Sequence, residues 1–197
     1  MCIAFRTEQK LFHWRIIAPM EQAFSSVAFF YYTFSELFLG KDYYYLNQLS
    51  QNLLESDYSA QAINILRHIE SKKLQEELEI AERSCLLERT YREVNLNQLS
   101  LSYEHFGYSL EEGYEPDHIG VELRLLSLLC VEGEIPRAYI NQYRFIHNRL
   151  DWLRALEEEL KERGLLALKD CVNLLRAFLR DHKAFLMQEL RIKSEED

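Results

Sequence analysis

Apolar residues recur every three or four positions along most of the chain, the pattern of helices that bury one face. From Glu21 to Leu39 these positions are Phe24, Val27, Ala28, Tyr31, Phe34, Leu37 and Phe38. Gly40 then stands where a left-handed residue ends such a helix. Asp42 is placed to cap a second helix carrying Tyr45, Leu46, Leu49 and Leu53, and Ser59 a third around Ala62, Ile63, Leu66 and Ile69. A fourth is predicted from Leu74 to about Leu101 through Leu78, Ala81, Cys85, Leu86, Tyr91 and Val94, with Glu76–Glu79 and Glu82 on its wet side. Gly107, Gly113 and Pro116 fall close together, which predicts a hinge between two lobes at about 107–116.

Beyond that loop, Asp117 is placed to cap a helix from about His118 to Val131. Ile119, Leu123, Leu126 and Cys130 mark one side of it, while Val121, Leu125, Leu128 and Leu129 cover the others. A helix apolar nearly all round is central and buried. Gly133 ends it, and Pro136 suits the first turn of the next helix, which runs to about Arg163 before Gly164. The last helix carries Leu168, Cys171, Leu175, Phe178, Phe185 and Leu190 on one side and trails into a charged tail. The predicted fold is all-α, a bundle of about seven helices in two hinged lobes, with residues 20–197 as one domain. Residues 1–19 lack the clean helical pattern and are read as a candidate N-terminal extension, loosely attached or preceding the true start.

Composition agrees with long helices. The 197 residues include only six Gly and three Pro, and 48% are hydrophobic against 28% charged, which excludes a disordered chain. The net charge of −9, without a Lys/Arg stripe, argues against nucleic acid as a partner. Solubility accounts for that charge, and it also suits a basic partner. Val27 to Phe34 is too short an apolar run to span a bilayer, and Arg6, Glu8, Lys10, His13 and Arg15 interrupt any signal-peptide core. Stable membrane insertion is therefore not expected. Cys2, Cys85, Cys130 and Cys171 are scattered, which fits reduced, mostly buried thiols in a cytoplasm.

A search for chemistry finds little. Six scattered glycines form neither a dinucleotide fingerprint nor a phosphate loop, and the nucleophile elbow is absent. No His pair has metal-ligand spacing, and the cysteines lie on apolar helical faces. Glu157, Glu158 and Glu159 read as a solvated face. No enzymatic activity, cofactor or metal is expected. Two features stand out. Twelve Tyr and eleven Phe include the clusters Phe29–Tyr32 and Tyr43–Tyr45, read mainly as core with an exposed ring or two for gripping another protein. The other is Glu115-Pro116-Asp117-His118-Ile119-Gly120-Val121-Glu122-Leu123, which places a carboxylate, Glu122, on an otherwise oily helix. Read from composition alone, it is a well-capped helix start with Glu122 satisfied by a neighbour.

Those nine residues resemble the E-P-D-H-[IL]-G-x-E-L signature of the TorD/DmsD family. Phe30-Tyr31-Tyr32-Thr33-Phe34-Ser35-Glu36-Leu37-Phe38 resembles the family's opening helix, and Gln142-Tyr143-Arg144-Phe145 with Leu150 and Trp152 resembles its Q-x-x-F…L-x-x-W helix. The likeness covers roughly residues 20–190. It departs at Tyr91-Arg92-Glu93-Val94-Asn95, where the usual Y-x-x-L-F is altered, and in lacking a Pro/Trp stretch before the hinge; Arg149 stands nearest to the His that normally precedes Trp152. The resemblance implies a cytoplasmic chaperone, monomer or homodimer, for a molybdenum-cofactor oxidoreductase precursor. It would bind the twin-arginine leader or the apo-enzyme body, preventing premature export and aiding cofactor insertion. Glu115, Pro116, Asp117, His118, Glu122 and Tyr91 are the implied client-binding residues. The alternatives are a NarJ-like assembly chaperone for a non-exported subunit, or a helical binding module with another client.

Overall fold

The computed structural model describes residues 6–7, 10–11, 26–39, 43–81, 83–110, 113–131 and 136–191. Among them the helical periodicity resolves into nine α-helices: α1 (Ser26–Phe38), α2 (Tyr44–Asn52), α3 (Ser59–Glu70), α4 (Lys73–Ile80), α5 (Leu96–His105), α6 (Ile119–Val131), α7 (Pro136–Arg149), α8 (Leu153–Glu162) and α9 (Leu166–Glu189). The only extended pairings among these residues are a short antiparallel ladder, Arg6 on Leu11 and Thr7 on Lys10, and an isolated bridge from Leu87 to His118. That ladder is the described part of the 1–19 extension. Gly40, Asp42 and Gly133, read above as helix ends and a cap, lie outside the described residues. None of the described helices is long and apolar enough to cross a membrane.

The excess over about seven helices comes from two breaks that no Gly or Pro announces. The helix expected over 74–101 ends at Ile80, passes through 3-10 turns at Arg83–Leu86 and Glu88–Thr90, and restarts at Leu96. Here the chain leaves the helix to pair across the molecule, Glu88 N–H donating to Asp117 C=O at 2.9 Å. Asn95 then caps α5, its side chain accepting from Gln98 N–H at 3.0 Å. The helix expected over 136–163 breaks at residues 150–152. Arg92 donates to the carbonyls of Asn148 (2.9 Å) and Arg149 (3.3 Å), supplying partners for acceptors that a helix end leaves orphaned.

Two expected caps are also corrected. Ser59 is the first helical residue of α3, and no side chain caps that helix. His118, not Asp117, caps α6: its Nδ1 accepts from Gly120 N–H at 3.1 Å, while the Asp117 side chain turns to Arg89. Glu77, expected on the wet side of α4, is buried, and its carboxylate accepts from Leu168 N–H at 2.9 Å. An acidic group there satisfies an orphan amide at the positive end of α9.

The core is organised by α1 against α6. Residues 31–38 are buried without interruption. The polar groups among them are largely satisfied across the seam: Ser35 donates to Gly120 C=O (2.6 Å), Ser127 to Ala28 C=O (2.8 Å), and Arg124 to Ser35 (3.2 Å) and Glu36. Arg124 also lies 4.1 Å above the Tyr32 ring. The helices approach closely because residue 120 is glycine; a Cβ there would stand 2.7 Å from Leu39 Cγ and 3.1 Å from Ser35 O. One buried cluster runs from Ala28 to Leu186, so it draws on both sides of the 107–116 loop.

At the α1–α9 contact, Tyr31 Oη lies 2.7 Å from His182 Nδ1, with Phe178 and Phe185 around the imidazole. Burial pushes the His182 pKa down to about 4. The unfolded chain takes up this proton near the ordinary value of about 6.5 and the folded chain does not. Stability from this residue is therefore full above about pH 6.5 and lost as pH falls towards 4. Urea midpoints between pH 7 and 4.5 will show a decline of roughly 2–3 kcal/mol that a His182→Phe variant lacks. An equal decline in the variant would assign the acid sensitivity elsewhere.

Candidate functional site

The segment leading into α6 is held by Arg89, by α5 and by the first turn of α6 itself. Glu115, part-exposed, pairs with Arg89 at 2.9 Å. The Pro116 carbonyl accepts from the Tyr103 hydroxyl at 2.5 Å, fixing the loop to α5. Asp117 is fully buried; its Oδ2 accepts from Arg89 N–H at 3.1 Å, and its Oδ1 has no partner. His118 is spent on capping α6.

One turn into α6, Glu122 is also fully buried. It accepts from Trp152 Nε1–H at 3.2 Å and from Arg149 at 3.3 Å. A second fully buried carboxylate, Glu88, takes Arg149 on one oxygen and Arg92 Nε (2.5 Å) on the other. Two buried carboxylates thus share Arg149, and Glu88 takes Arg92 as well. Burial, and then the adjoining Glu88 charge, push the Glu122 pKa well above the carboxylate range, and Arg149 counters them. Burial likewise raises the Tyr103 phenol. Trp152 stacks on Tyr91 with centroids 5.4 Å apart and an 18° tilt, and the Tyr91 hydroxyl donates to Cys85 C=O at 2.8 Å.

All six residues singled out in the sequence therefore sit in or beside one cluster. Glu115, Pro116 and Tyr91 are partly exposed, whereas Asp117, His118 and Glu122 are buried. The residues that the sequence did not assign to the site are their partners Arg89, Arg149 and Tyr103, with Glu88 and Arg92 beside them. The spacing of Glu88 and Arg92 was the one local signal, since residues four apart on a helical turn can pair.

Beside the cluster, α5 and α7 leave a cleft of about 340 Å³. Leu99, Leu101, Phe106 and Phe145 give it an apolar lining, and Arg144 and Arg149 supply its charge. Arg149 joins the two features: its guanidinium is anchored on the buried carboxylates, and the residue lines the cleft.

Other candidates resolve as structure. Cys85, Cys130 and Cys171 are buried, as expected of packing thiols, and burial raises the pKa of Cys130 and Cys171. No group of three His, Cys, Asp or Glu suited to a metal occurs among the described residues. Phe30, Tyr31 and Tyr32 are core, whereas Tyr44 is 55% exposed. Glu158 stays in solvent, but Glu157 is drawn to Arg176 and Asn173 on α9, a correction to the solvated run. No family model, curated protein or solved structure matches this chain.

Proposed function

We propose that the chain is a cytoplasmic chaperone of the TorD kind. It binds the apo-form or twin-arginine leader of a molybdenum-cofactor oxidoreductase, aids cofactor insertion, prevents premature export and catalyses no reaction. The observation that supports this reading is the convergence of the Glu115–Leu123 segment on one buried cluster that anchors the wall of an open apolar cleft. In this reading the bundle is TorD-like, and Asp117, His118 and Glu122 hold the site's shape. Glu115, Pro116 and Tyr91 meet the client, with Glu115 exchanging Arg89 for a leader arginine in a bidentate contact. The 107–116 loop acts as the hinge, with Gly107 (φ 81°) at its start and Gly113 (φ 94°) within it in left-handed conformations. Swinging there opens the site, or exchanges lobes between two copies in a homodimer.

A second reading, a NarJ-like chaperone that grips the body of a non-exported subunit, is favoured by the cationic charge of the cleft, which suits a leader's basic head poorly.

A tagged pull-down from native cells grown under anaerobic respiration, read by mass spectrometry, tests both. An unprocessed molybdenum oxidoreductase with its leader is the expected product, and a leaderless subunit selects the second reading. Recovery of no oxidoreductase under any inducing condition would overturn the chaperone assignment.

A further inference from the structure

The α5–α7 cleft differs in sign from the rest of the molecule. The chain carries a net charge of −9, yet the charged residues that line the cleft are Arg144 and Arg149, with His105 beside them. Arg149 is committed to Glu88 and Glu122. Arg144 is exposed and makes no ion pair or hydrogen bond with the described residues. Glu104, on α5 itself, is exposed and is not part of the lining. Among the described residues, the cleft therefore offers one guanidinium without a partner beside an apolar lining of Leu99, Phe106 and Phe145, with Leu101 left 62% exposed.

Shape narrows the occupant. The cleft is an open trough between two helices, and a helix laid in such a groove anchors it through side chains at i, i+3 and i+4. Its volume of about 340 Å³ accepts a few large apolar side chains. A carboxylate on the flank of that helix would meet Arg144 in the fork geometry that guanidinium and carboxylate share. A lysine or arginine in the same place would face two like charges, with no carboxylate in the lining among the described residues to receive it.

We infer that the α5–α7 cleft is a docking site for an amphipathic, acid-bearing helix of a partner protein. This goes beyond the chaperone assignment and does not depend on it.

The test is selection of a random dodecapeptide display library on the full-length protein, with counter-selection on Leu101→Asp and Arg144→Glu variants. Both substitutions are at exposed positions, so folding is checked by an unchanged melting curve. Enriched peptides are expected to pair apolar residues at helical spacing with Asp or Glu. Their affinity should fall at least about tenfold in either variant, a loss of 1.4 kcal/mol. Exchanging Glu for Lys in an enriched peptide should restore its binding to Arg144→Glu. Enrichment of basic peptides, no enrichment, or binding unchanged in both variants would overturn the inference. So would binding of free decanoate with no peptide selected, which would assign the cleft to small carboxylates. If acidic peptides are selected while the pull-down yields no oxidoreductase, only the chaperone assignment fails.

Discussion

Replacing Arg124 with Met will lower the thermal midpoint by about 10 °C, a loss of about 4 kcal/mol at the roughly 2–4 °C per kcal/mol typical of chains this size. Arg124 and Glu36 are each only 7% exposed, on the two helices that organise the core. The guanidinium serves Glu36, Ser35 and the face of Tyr32 at once. Removing it leaves a carboxylate in the α1–α6 seam with no cation, and breaking one side of a buried pair is costlier than never having had it. The double variant Glu36→Met/Arg124→Met is therefore expected to return to within about 1 kcal/mol of the parent, because both desolvated charges are gone. Circular-dichroism melts of the three proteins decide the matter. A neutral single variant would show that Glu36 is not held as a charge by Arg124.

The second large effect is at Arg149. Arg149→Met is expected to cost about 3 kcal/mol at pH 8, at the lower end for a broken buried pair because Arg92 still serves Glu88. Its pH dependence distinguishes this loss from simple packing damage. Glu122 already has a raised pKa. A carboxyl group whose folded pKa is raised adds stability that is complete below its unfolded value of about 4.3 and is lost as pH rises through the folded value. Removing Arg149 raises the Glu122 value further, so the deficit relative to the parent should be largest at pH 8 and shrink towards pH 5. Adding Glu122→Gln should recover most of it at pH 8, because the neutral amide no longer opposes Glu88. A deficit that is constant with pH would show that the carboxylates are not what Arg149 stabilises.

What the sequence shows and hides follows from where each cause lies. The central burial of α6 could be read because Val121, Leu125 and Leu129 extend the apolar set beyond one face, a local property. The break after Ile80 could not. Leu78, Ala81, Cys85 and Leu86 keep helical spacing straight through it, and the interruption is imposed by Asp117, whose carbonyl takes the Glu88 amide. The break after Arg149 is similarly stabilised from a distance, by Arg92 on carbonyls more than fifty positions later in the chain. The unusual chemistry of the 115–123 segment was visible as a carboxylate on an oily helix. Its partner Glu88 was hidden inside a stretch that read as ordinary amphipathic helix. The assignment of the α6 cap to Asp117 followed residue preference, but His118 stood nearer the first amides and Asp117 was taken by Arg89.

The Glu77–Leu168 contact sets an order of assembly. The two residues are 91 positions apart, so a ribosome delivers the carboxylate long before the amide it will serve. Until the later residues arrive, α4 carries a charge without this partner on the face it must eventually bury. The contact that finishes the start of α9 thus ties the burial of this face of α4 to the arrival of α9.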